Sequence, residues 1–200
     1  MKNLILAIFL CFSFFAFAQS GPQIKETFQK IKSQTAIDAN DKTVYDLMDE
    51  FYQKSLQADD DEMTPETVHK IEKTFSDPNT KNLHLLFLFL MYQQHISQTV
   101  MAGRPSNPEF QIETMTLLEN EAKSVYGKIP AIIYIYKTEA LDAGQKKVEA
   151  QATVTSGLKE YPDSIPLKVY GYLHTKDEVL KKDLIKNHPH HWMVQQFGIQ

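Results

Sequence analysis

The chain has 200 residues, with 21 lysines and arginines against 25 aspartates and glutamates, a net charge of −4 and one cysteine. Its single arginine is Arg104, and phosphate recognition favours arginine forks arranged on a concentrated basic face. Nucleic acid is therefore excluded as the partner class.

Residues 1–18 open with Lys2, continue as an apolar run from Leu4 to Phe17, and end in Ala16-Phe17-Ala18 before Gln19. A basic start, an apolar middle and an Ala-x-Ala step are the parts of a cleavable secretory signal. The run is shorter than the roughly 20 residues needed to span a bilayer. The expected location is periplasmic or secreted, in a Gram-negative-type bacterium, with no membrane span left after cleavage. Cys11 lies inside the run, so the mature chain 19–200 would have no thiol for catalysis, metal binding or disulfide formation.

Beyond the signal, the pattern is helical. Ile24, Phe28 and Ile31 share one face, and Val44, Leu47, Met48 and Phe51 form a clearer stripe. Ala58-Asp59-Asp60-Asp61-Glu62 reads as an acidic loop, and Thr64-Pro65-Glu66 as a helix start before Val68, Ile71 and Phe75. Residues 83–91 are almost wholly apolar. Too short to cross a membrane, they read as a helix at the centre of the core. After the loop Gly103-Arg104-Pro105, Asn107 caps a helix through Met115 and Leu118 that closes at Gly127. Pro130 opens the next; the β-branched and aromatic stretch 132–136 is the one rival strand. A helix then runs from about Gln145 to Glu160, and Ser164 starts another through Leu167 and Tyr170. Thr175-x-x-Glu178 has the form of a capping box, and residues 192–197 make a last apolar turn. The expected fold is all-α: antiparallel helix pairs in one domain over 19–200, arranged as a solenoid or an irregular bundle.

Residues 131–174 carry a further pattern. With Pro162 as a closing proline, Tyr134 takes a large aromatic position of a first helix. Ala150, Val154 and Gly157 take small, large and small positions of a second, and Leu167, Tyr170 and Gly171 begin another unit. This stretch resembles a tetratricopeptide repeat, a helix-turn-helix unit about 34 residues long. Lys137 and Thr138 depart from the family's apolar–glycine pair. The resemblance implies a repeat-like C-terminal part over 130–198 and a surface that binds a protein or peptide partner. It carries over packing positions and no catalytic residue.

Candidate chemistry is sparse. His188, His190 and His191 could supply metal ligands, with Asp183 as a neighbour. Adjacent residues seldom converge on one ion, and the plainer reading is a solvated turn with Trp192 anchoring the last segment. This cluster is the alternative to partner binding: a metal-binding protein or metal-dependent enzyme. His84 and His95 stand about 16 Å apart along a helix, too far for one ion, and read as the ends of the buried helix. His69 and His174 read as surface residues. Position six from Asp59 is Thr64 rather than glycine, which removes an EF-hand. No Gly-x-Ser-x-Gly or phosphate-cradling loop is present. The tyrosines at 126, 134, 136, 161, 170 and 172 read as packing residues. No catalytic, cofactor or metal residue is assigned, and the expected activity is binding rather than catalysis.

Overall fold

The computed structural model describes residues 21–59, 65–103 and 105–200. The signal segment 1–18, Asp60 to Thr64 and Arg104 lie outside the described residues. Among those described there are ten α-helices, one π-helical turn and no strand. The chain is all-α, and none of these helices is long and apolar enough to cross a membrane. The described residues divide between two compact units, 21–47 with 65–129 and 48–59 with 130–200.

In the first unit, α1 (Gly21–Gln34), the start of α2 (Thr43–Tyr52), α3 (Pro65–Ser76), α4 (Leu83–Ala102) and α5 (Pro108–Tyr126) follow in order. The apolar run lies in α4, and residues 85–92 are all buried. A helix without a polar face must be covered on every side, and α1, α3 and α5 all pack on α4. Asn107 accepts from the Phe110 N–H to start α5, and Gly127 ends it at φ +67°. The left-handed Asn82 precedes α4 at φ +57°, fully buried. Its amide accepts from Asp38 N–H and donates to the carbonyls of Asp38 and Asp41 and to Tyr126 Oη. One side chain thus closes the loop between α1 and α2.

The second unit holds the end of α2, the π-helical turn Gln53–Gln57, then α6 (Ala131–Ala143), α7 (Lys147–Glu160), α8 (Ile165–Thr175), α9 (Glu178–Asn187) and α10 (Trp192–Gln196). Each of α6 to α9 packs on the next, as short connections dictate, and α6, α10 and the π-helical turn also pack on α8. The stretch 132–136 is helical and wholly buried within α6, so burial on all sides overrides its β propensity. Gly157 permits a close approach: a Cβ there would stand 3.0 Å from Leu167 Cδ1 and 3.0 Å from the Tyr134 ring. Ser164 caps α8 through Leu167 N–H. The expected capping box at Thr175 is not used. Asp177 caps α9 through Val179 N–H, while Thr175 ends α8 with its hydroxyl on the Gly171 carbonyl.

Candidate functional site

The second unit carries a groove of about 320 Å³ over α8, walled by α7 and α9. Val154, Leu158 and Leu180 make its apolar floor, and Gly171 lies between them. A Cβ at Gly171 would meet Leu180 Cδ1 at 2.9 Å and Leu158 Cδ1 at 3.2 Å. The missing side chain is therefore what draws the two flanking helices in over α8. The rim is polar, with Gln151, Thr155, Lys159 and Asp177 all exposed. An apolar cleft with a few polar groups at its edge is the common form of a ligand site.

One wall is fixed from behind. His174 lines the groove and is not the surface residue expected: its side chain is 10% exposed and its Nε2 lies 2.9 Å from Asp142 Oδ2. One turn earlier on both helices, the Tyr170 hydroxyl donates to Glu139 Oε1 at 2.7 Å. Two acids on α6 and two partners on α8 thus form a ladder of polar contacts. Burial pushes the Glu139 carboxyl up to about 7; the Tyr170 O–H opposes this and the Asp142 charge adds to it. A carboxyl poised near neutrality is a mark of functional sites and also of structural networks, so geometry has to decide. The hydroxyls of Thr155 and Thr175 donate to the carbonyls of Gln151 and Gly171 one turn back, not to His174. Neither threonine hydroxyl is thus directed at the His174–Asp142 pair.

The three C-terminal histidines go separate ways. His188 ends α9 with its N–H on the Leu184 carbonyl, and His190 is exposed. His191, by contrast with the exposed Pro189 and His190 before it, is fully buried. Its Nδ1 accepts from Met193 N–H and its Nε2 lies 3.0 Å from the Leu56 carbonyl, so neither ring nitrogen is left for an ion. Asp183 is taken by Lys168 and Asn187, each at 2.6 Å. Among the described residues no three histidine, aspartate or glutamate side chains gather to hold a metal.

His95 accepts from Asn107 N–H and packs on Phe110, while His69 is exposed. His84 is fully buried in the first unit, and neither ring nitrogen has a hydrogen-bond partner. Its nearest acid oxygen, Glu121 Oε2 at 3.5 Å, belongs to a carboxylate whose other oxygen holds Lys32 at 2.7 Å. The sequence reading missed Glu139, Asp142 and the polar roles of Tyr170 and His174. Their signal was available: three residues apart on one helix and four on the other, the pairs are spaced to face each other. Comparison with family models, curated proteins and solved structures finds no match to this chain.

Proposed function

We propose that the protein is a non-enzymatic binding protein of the periplasm or extracellular space. Its second unit is read as a tetratricopeptide-like stack that takes a peptide segment of a partner protein. The observation that carries this reading is the groove over Gly171, an apolar floor opened by a glycine and edged by exposed polar side chains. The floor suits one aliphatic or aromatic anchor, and the rim offers Gln151 and Lys159 to the peptide backbone and its neighbours. Close packing at Gly157 and Gly171, positions the repeat resemblance reserves for small residues, supports the same reading. The pattern of residues 1–18 supports the location.

The test is a random peptide display selection against residues 19–200, followed by binding measurements on Thr155→Trp, which plugs the groove from an exposed rim position. Selected peptides should share an apolar anchor and lose most of their affinity for this variant. Selection that enriches nothing, or peptides that bind Thr155→Trp as well as the parent, would overturn the reading. The location is checked separately by amino-terminal sequencing of protein recovered outside the cytoplasm, which should begin at Gln19.

A further inference from the structure

The turn Gln53–Gln57 is far in sequence from the helices it lies on, and two side chains secure it. Gln57 Oε1 accepts from Ile165 N–H at 3.0 Å and from the Tyr52 hydroxyl at 2.6 Å, and its Nε2 donates to the Asp163 carbonyl. These contacts grip the start of α8. The second fastening is His191, at the start of α10, whose ring lies between the Leu56 carbonyl and Met193 N–H. π-Helical turns are rare and concentrate at functional sites, which makes the fastening of this one notable.

The tautomer of His191 follows from its partners. A carbonyl only accepts, so Nε2 must carry the proton that faces Leu56. A backbone N–H only donates, so Nδ1 must present its lone pair to Met193. One neutral form satisfies both contacts, and the imidazolium satisfies only one, because its Nδ1–H would face the Met193 N–H. We infer that His191 is an acid-released latch that in its neutral form joins the Gln53–Gln57 turn to the cap of α10, and that proton uptake breaks the join.

The ionisable groups acting on the ring are Asp59, beyond the turn, and His188, at the end of α9. Burial holds the imidazole below the ordinary histidine range, so the latch is closed at neutral pH. Tyr52, at the Gln57 fastening, is pushed up to about 12 by burial and keeps its proton throughout. Acid therefore acts on the α10 end of the turn and leaves the Gln57 grip in place. Phe197, just past α10, lies edge-on to Tyr170 at 6.2 Å. Loosening of α10 thus reaches the residue whose hydroxyl donates to Glu139. The inference stands on the geometry of the second unit and is independent of peptide binding in the groove.

The test uses the full mature chain. Imidazole ¹⁵N–¹H spectra read the tautomer and titration of His191, while amide hydrogen exchange follows Met193 and Ala58. Ala58 N–H closes the π-helical turn on the Gln53 carbonyl. Near pH 7.5 the ring should be in the Nε2–H form. On acidification both amides should open about tenfold more often, the scale of a lost helix cap, with the midpoint of the ring titration. The Lys168 amide, inside α8, should not respond. His191→Asn keeps an oxygen for Met193 N–H and cannot titrate, so exchange at Met193 should no longer depend on acid beyond the intrinsic chemistry. An Nδ1–H ring near neutrality, a ring that titrates without opening the two amides, or an unaltered acid response in His191→Asn would each overturn the latch. Should that variant fail to fold, the coincidence of the two wild-type midpoints decides.

Discussion

Replacing Glu139 by glutamine tests the polar ladder behind the groove in one measurement. The carboxyl is raised from 4.5 to about 7, chiefly by burial. The folded chain therefore holds this proton more tightly than the unfolded chain does. Linkage sets the sign: the contribution is complete below about pH 4.5 and is lost as pH rises through about 7. At about 1.4 kcal/mol per tenfold, keeping the ionised form folded costs up to roughly 3 kcal/mol. Glu139 is only half-buried by residue surface, so solvent screening brings the expected cost to about 1–3 kcal/mol. Glutamine keeps an oxygen for the Tyr170 hydroxyl and carries no charge. The assay is urea unfolding from about pH 5 to 8, followed by the fluorescence of Trp192, the single tryptophan, which lies in the second unit. Parent and Glu139→Gln should be alike near pH 5, and the variant should be more stable by about 1–3 kcal/mol near pH 8. Equal stability at both ends, or a variant weaker near pH 8, would refute the argument.

The two close-approach glycines should separate under the same assay. Alanine is a better helix former than glycine by about 1 kcal/mol. At Gly157 the new methyl would meet Tyr134 at its Cβ and Cγ, which cannot swing aside, whereas at Gly171 it would meet leucine tips. Gly157→Ala should therefore lose a net 1–2 kcal/mol or so, and Gly171→Ala should be close to neutral. In the first unit, Asn82→Ala removes four side-chain hydrogen bonds and places alanine at φ +57°. A loss of about 2–4 kcal/mol by circular dichroism is expected. His84→Leu removes two unpartnered buried nitrogens and should stay within about 1 kcal/mol of the parent near pH 7.5. Burial lowers the His84 pKa below 6.5, so the parent loses stability as pH falls below about 6.5. The variant should lose less, and parallel pH profiles would rule that out.

How much of this was legible in the sequence depends on how far apart the interacting residues lie. Caps and periodicity are local, and they were readable: Asn107 and Ser164 start α5 and α8 as their positions suggest. The apolar run of α4 shows its burial directly, since a helix with no polar face has nowhere else to go. The false capping box at Thr175 has a physical cause. Asp177 stands two residues later and offers a carboxylate to the same helix start, so the helix begins one turn-fraction further on. What could not be read was long-range. His191 is separated from Leu56 by 135 positions and Asn82 from Asp38 by 44; no spacing rule connects them. The Glu139–Tyr170 and Asp142–His174 pairs fall between these cases, because only the knowledge that α6 packs on α8 turns their spacing into a ladder.

The two fully buried histidines show why residue type and burial alone do not fix chemistry. In both, burial holds the ring below the ordinary histidine range. At His191 both nitrogens are matched by backbone groups, so a proton adds charge and also destroys a specific bond. At His84 neither nitrogen is matched, so a proton destroys nothing and brings Glu121 closer to an ion pair. That carboxylate is already held by Lys32, which weakens its pull on a second cation and leaves desolvation as the larger effect. Acid should therefore lower stability at both sites but uncouple a structural element only at His191. A global unfolding curve cannot separate them, whereas amide exchange at Met193 and Ala58 can, because the same proton cost is then read at two named positions.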